Sequence, residues 1–313
     1  MNLNDFSEKV CKECKGENKK RIFRSENGLC QKFISKIDNL PLRCVGDWAE
    51  DKNYYLERYF SIFSNSMKNK WSKLNYIEIC SGPGKSIYRK NLTESEGTAI
   101  RMLSNENIKF IKKAIFIDYD EEVVSILNKR IKNLDLQNKA KAVVCDFNDF
   151  EKINKILIEN DVIGGLKFVF IDPTDCGTKF ELIKYLKQKL EKVDFLLNVP
   201  YGTDLNRNLL ETLKHDNYKS RKKYCDFIGE PDFFDKEDVK EFMTINNDKN
   251  SRLTEKYINY LKKNLDNIGL PYYDDSVAVK HYYKLFFITG NEIGLNFWKK
   301  ISKKGPDGQQ KLF

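Results

Sequence analysis

Apolar residues recur along this chain in two periods, and the two periods alternate. From Trp48 to Met67, Tyr55, Leu56, Tyr59, Phe60, Phe63 and Met67 fall at spacings of one, three and four. That spacing lines one face of a helix. Asp47, with Glu50 three residues on, predicts a capping-box-like start. Short apolar runs follow at Asn75 to Cys80, Lys113 to Ile117, Lys141 to Cys145, Lys167 to Ile171 and Val193 to Leu197. Helical spacing returns between them, in Val123, Leu127, Ile131 and Leu134, then in Phe180, Ile183, Leu186 and Leu190. Strands buried on both faces read as continuous runs, so the pattern predicts an α/β fold. Its sheet is mostly parallel, with helices on both faces.

The rhythm breaks in two places. Residues 1–44 show little apolar periodicity, and residues 206–250 read as a partly helical insertion at the sheet's functional edge. A helix returns at Leu253, Tyr257, Tyr260, Leu261, Leu265 and Ile268, then a strand from Tyr282 to Thr289 and a short helix from Leu295 to Ile301. The expected organisation is a cysteine-bearing segment at 1–44, a main domain at 45–301 and a flexible tail at 302–313.

Composition narrows the chemistry. The 313 residues carry 55 Lys and Arg against 46 Asp and Glu, a net charge of +9. Only two histidines are present, His215 and His281, so a His-rich metal centre is excluded. No apolar run approaches the roughly 20 residues of a membrane helix. Met1 to Val10 are polar and charged, so the expectation is a cytoplasmic protein with no membrane partner.

The chemical signal is a series of polar strand ends. Glu78 lies near the end of the first run, followed by Ser81-Gly82-Pro83-Gly84; Asp118, Asp146 and Asp172 end the next three. Ligands of open α/β sheets sit outside these ends. Glycines admit close backbone approach. An acid after the second strand suits ribose hydroxyls, and one after the third suits an adenine amino group. The expected ligand is an adenosyl nucleoside. Gly84-Lys85-Ser86 resembles the end of a phosphate-binding P-loop, but the required first glycine is Ile79.

The run Val45 to Lys52, then Tyr54 to Phe63, Tyr76 to Gly84, Phe170 to Pro173, Leu197-Asn198, Arg207-Asn208 and Tyr282 to Phe287 with Gly294 together resemble the three-Cys-motif partner proteins. Cys80-Ser81 is a small departure from that family's pattern. The resemblance implies a Rossmann-like class I methyltransferase fold, S-adenosyl-L-methionine as cofactor, and a radical-SAM-like three-Cys-motif protein as partner. It leaves the methyl acceptor undefined, and a non-enzymatic partner role stays open beside methyl transfer.

On the acceptor side, Asp172-Pro173-Thr174-Asp175 lacks the second proline and the aromatic of the amine-methylating pattern. Asn198-Val199-Pro200-Tyr201 follows the fifth strand instead, and supplies two candidates. Asn198 would accept a hydrogen bond and Tyr201 would stack, while Asp172 would orient or deprotonate the acceptor. The alternative is an ordinary strand-to-loop turn.

Cys11 and Cys14 form a C-x2-C pair, joined by Cys30 and Cys44 as candidate zinc ligands. No second C-x2-C completes the set, and free thiols are the alternative. Lys12 to Arg24 and Lys214 to Lys223 are basic stretches that could meet nucleic-acid phosphates or could simply be solvated. A zinc-bearing nucleic-acid-binding module is therefore the third reading.

Overall fold

A computed structural model describes residues 13–14, 22–215, 218–243 and 249–306. A seven-stranded sheet forms its centre. Its strands, in chain order, are β3 (Leu74–Ile79), β6 (Lys113–Asp118), β7 (Ala140–Val144), β8 (Leu166–Ile171), β9 (Val193–Val199), β10 (Tyr272–Val279) and β11 (Tyr283–Thr289). Their spatial order is β10-β11-β9-β8-β3-β6-β7. The first five pair in parallel, and β11 runs antiparallel to both β9 and β10. This is a mixed α/β, Rossmann-like arrangement.

Alternation along each strand sends neighbouring side chains to opposite faces. Ile77, Ile79, Ile115, Ile117, Val169 and Ile171 build one core. Tyr76, Phe116, Phe168, Phe170, Leu196 and Phe287 build the other. The second core is covered by α1 (Trp48–Met67), α2 (Thr98–Ser104), α3 (Glu121–Asn133) and α10 (Glu292–Ser302). The first is covered by α4 (Phe150–Glu159), α5 (Phe180–Leu190), α6 (Asn206–Lys214), α7 (Tyr218–Ile228) and α9 (Lys249–Asn267), with α8 (Glu237–Lys240) between the last two.

Residues 206–243 are thus a helical layer, with Leu209, Leu213, Phe227, Ile228 and Phe233 inside the core. Asp204 fastens it. That carboxylate accepts from Lys223 Nζ at 2.7 Å, Tyr224 Oη at 2.6 Å, Asn208 Nδ2 at 2.8 Å and the Cys176 amide at 2.9 Å. Burial pushes its pKa up, but these donors outweigh burial and hold it at about 2.

A second sheet is unannounced by hydropathy. It has the order β1-β2-β4-β5, from β1 (Leu29–Ile34), β2 (Pro41–Val45), β4 (Lys85–Tyr88) and β5 (Glu94–Glu96). The parallel pairing of Arg43, Cys44 and Val45 with Ser86, Ile87 and Tyr88 joins residues on both sides of position 44. The chain therefore leaves the glycine turn as a strand. A P-loop leaves as a helix, and its lysine must be free; Lys85 instead meets Asp38 at 3.4 Å and Glu94 at 3.2 Å.

The capping box at Asp47 does not form. No side-chain cap bond is made there. Asp47 meets Lys280 at 2.7 Å, while Glu50 takes Tyr88 Oη at 2.7 Å and Arg101 at 2.6 Å. Ion pairs to neighbouring elements win over the local cap. The tail from residue 307 lies outside the described residues. Among the described residues no helix is long and apolar enough to cross a membrane.

Candidate functional site

A cavity of 330 Å³ opens over the carboxyl ends of β3, β8 and β9. The order reverses between β3 and β8, the switch point where open sheets bind ligands. Ser81, Gly82, Pro83, Gly84, Asp172 and Asn198 all line it.

The glycine turn is held open from below. Cys80, Gly82 and Gly84 have φ of 64°, 66° and 89°. For Cys80 this is a strained conformation beside the cavity. The Gly82 amide donates to Asp118 Oδ2 at 2.9 Å, and the other Asp118 oxygen receives the Asp120 amide at 3.3 Å. A Cβ on Gly82 would sit 2.8 Å from the Arg43 guanidinium. Arg130, 2% exposed on α3, donates to the Pro83 carbonyl at 2.7 Å and to Asp38 at 2.9 Å.

Beneath the turn lies Glu78, fully buried. Tyr76 Oη donates to it at 2.8 Å, and Thr98 Oγ1 donates to its other oxygen. Burial dominates those donors and raises the carboxyl to about 8. Glu78 is therefore a neutral acid under the cavity at pH 7, outside the lining.

Across the floor, Asp172 is engaged on both oxygens. Asn198 Nδ2 donates to Oδ1 at 2.7 Å, and Lys52 from α1 pairs with Oδ2. The register of β11 against β9 places Leu285 opposite Asn198 and fixes the latter's depth. Asn198 is 1% exposed, and among the described residues its Oδ1 has no partner. Ser81 Oγ is buried and equally unpartnered.

Other sequence candidates lie elsewhere. Asp118 stands behind the turn, and Asp146 is exposed, accepting the Asn148 amide at 2.8 Å. Tyr201 sits in the π-turn Tyr201–Leu205, outside the lining, with Lys284 Nζ 4.4 Å from its ring centroid. Thr203 of the same turn and Tyr283 reach the cavity instead, the latter 4.6 Å from the Trp48 ring.

Cys11 lies outside the described residues. The thiol of Cys30 is raised by burial and, more weakly, by Cys44 and Cys14 nearby. Among the described residues no group of three or more His, Cys, Asp or Glu is placed to hold a metal ion. The expected zinc site is therefore unsupported. Cys80 and Cys176 are raised well above the ordinary thiol value by burial and then by carboxylates, and burial lifts Cys145 to about 11. None is an activated nucleophile. In the 214–223 stretch, Lys214, Arg221, Lys222 and Lys223 each meet a carboxylate.

Lys52, Arg24, Arg43 and Arg89 are lining residues that hydropathy does not single out. Lys52 falls in the Val45 to Lys52 run that carried the family resemblance. A cation one helical turn inside an apolar face was its only other signal.

No protein-family model matches the chain, and no curated protein matches it. The three-Cys-motif resemblance thus rests on its residues alone. Solved structures do resemble the chain. A candidate S-adenosyl-L-methionine-dependent methyltransferase from Methanococcus maripaludis is 15% identical, covering 77% of this chain and 89% of that one, at a TM-score of 0.35. An S-adenosylmethionine-dependent methyltransferase from Clostridium acetobutylicum is 12% identical over 49% and 53%, at 0.30. A Legionella pneumophila protein is 12% identical over 82% and 92%, at 0.42.

Proposed function

We propose that this chain is an S-adenosylmethionine-dependent methyltransferase, with its transfer site in the cavity over β3, β8 and β9. One observation carries the reading. A positive-φ glycine turn and the Asp172–Asn198 pair share one cavity, and the pair leaves a buried acceptor, Asn198 Oδ1, without a partner among the described residues. A buried orphan polar atom costs on the order of 1–3 kcal/mol, so a ligand donor is its natural complement.

The residues fit the cofactor. The turn presents backbone with no Cβ at Gly82 or Gly84, and Ser81 Oγ adds a second orphan. Ser81, Gly82, Pro83 and Gly84 would hold it, with Asp118 fixing the turn. When bound, it supplies a methyl group on a sulfonium. This chain's own side chains would do the rest. Lys52 and Asn198 Nδ2 immobilise Asp172 from two directions, and Asn198 Oδ1 accepts an N–H or O–H of the acceptor. Both Asp172 oxygens are already engaged, which suits positioning over proton abstraction. Catalysis of this kind rests on proximity and orientation.

Calorimetric titration with S-adenosylhomocysteine tests the reading. Saturable binding is expected for the wild type and for Asn198→Ala, and its loss for Gly82→Ala, measured below that variant's lowered unfolding midpoint. No saturable heat with the wild type would overturn it.

A further inference from the structure

The cavity's second wall carries a charge that the first does not explain. Five cationic side chains line the space, Arg24, Arg43, Lys52, Arg89 and Arg207, against two carboxylates, Glu96 and Asp172. Lys52 is spent on Asp172. Among the described residues, none of the four arginines forms an ion pair. Three of them converge. A Cβ at Gly28 would meet Arg24 Nη2 at 3.1 Å and Arg43 Nε at 3.2 Å. A Cβ at Gly82 would meet Arg43 Nη1 at 2.8 Å, and one at Gly46 would meet Arg89 Nη2 at 2.9 Å. Glycine at these positions leaves the guanidinium groups room beside the backbone.

Such crowding is unfavourable in the free protein. Desolvation, then the charges of Arg43 and Arg89, press the Arg24 pKa below its ordinary value, although the residue as a whole is exposed. The sulfonium nucleoside can relieve only part of it, through its single carboxylate. Its sulfonium, ammonium and carboxylate sum to one positive charge, so it leaves the excess of cations in the lining uncompensated. A second occupant with several negative charges resolves both problems. Guanidinium forks match phosphate oxygens in pairs, which carboxylates and phosphates exploit alike.

We infer that the arginine wall is an anion subsite that takes a phosphate group of the methyl acceptor. As a statement about the acceptor it rests on the methyl-transfer reading; as a statement about an anion site it does not. The phosphate source can be a small phosphorylated compound or a nucleic-acid strand.

The test is calorimetry with pyrophosphate, with and without saturating S-adenosylhomocysteine, and with a short oligothymidylate as a second probe. Saturable pyrophosphate binding is expected. Arg43→Gln or Arg24→Gln should each weaken it roughly tenfold, the worth of one charge-assisted contact. Arg43→Lys should recover only part of that loss, since an ammonium lacks the fork. Arg58→Gln, which removes an equal charge from the exposed side of α1, should leave binding unchanged. Tighter, steeply salt-dependent binding of the oligonucleotide would identify a nucleic-acid acceptor; weaker binding would identify a small one. Absence of pyrophosphate binding, or equal binding by the Arg24 and Arg43 variants, would overturn the inference. So would competitive displacement by S-adenosylhomocysteine, which would assign the wall to that ligand's carboxylate. Pyrophosphate binding without any binding of S-adenosylhomocysteine would leave the anion site standing and remove the methyl-transfer reading.

Discussion

Glu78 is a carboxyl whose neighbours are two hydroxyls and a wall of sheet. Its folded pKa of about 8 lies above the ordinary 4.5. The folded state thus holds a proton that the unfolded state releases, so the stabilisation is complete below pH 4.5 and is lost as pH rises through about 8. Glu78→Gln, which mimics the protonated form, should match the wild type near pH 4.5. At pH 8.5 it should melt several degrees higher, because the wild type must by then bury a charge or hold a proton that the unfolded chain has released. Thermal scans across that window check it; parallel curves for the two proteins would contradict the assignment. The Lys52–Asp172 pair behaves differently, because each partner exists for the other. Its side chains are 8% and 15% exposed. Lys52→Met leaves a half-buried carboxylate with only its Asn198 donor and should cost about 1–3 kcal/mol, and Asp172→Asn in the same chain should return most of that. Urea denaturation of the double-mutant cycle reads the coupling.

Among the elements, the glycine turn depends on Arg130. That side chain comes from α3 and reaches both the Pro83 carbonyl and Asp38, tying the turn to the N-terminal hairpin. Arg130→Leu should destabilise the fold by about 3–5 kcal/mol, since it leaves Asp38 buried without its main partner. It should also abolish S-adenosylhomocysteine binding before it unfolds the protein. Calorimetry below the unfolding midpoint distinguishes the two effects. The sequence displays the turn and the five parallel strands, and each strand lies within two residues of its hydropathic run. Four of them are buried on both faces, and β7 at the edge is buried on one, so burial writes them into composition. The sequence does not display β1 and β5, which are mostly half-buried or exposed, β2 and β4, which alternate between buried and half-buried residues, or β10, where Asp274, Asp275 and Ser276 mark a polar edge strand. Edge strands carry polar residues to resist pairing with other chains, and so look like loops. The site follows the same division. Asp172 and Asn198 are legible because they end buried strands. Lys52 and the arginines come from a helix and from the small sheet, and meet only through tertiary pairing.

Across the whole molecule, Asp204 links the sheet to the helical layer between β9 and β10. Its pKa of about 2 lies below the ordinary 3.8, so its contribution is present above pH 3.8 and is lost as pH falls through about 2. Asp204→Asn should cost roughly 2–3 kcal/mol at pH 7 and progressively less towards pH 2, as charged hydrogen bonds are given up. Urea denaturation at pH 7 and pH 3 measures the convergence; a constant difference would point to packing alone. The net charge of +9 also has a distribution. In the 214–223 stretch four cations pair with carboxylates, whereas among the described residues the arginines of the cavity form no ion pair.

The parallel pairing of β2 with β4 has a bearing on the order of folding. These strands are separated in the chain by α1 and β3. Contacts between distant segments form late, after the loop entropy between them has been spent. The arginine wall is thus expected to close only once β3 lies in the sheet. In a refolding experiment, ligand capture should lag behind the recovery of helical signal, so the cavity would serve as a clock for the last step of assembly.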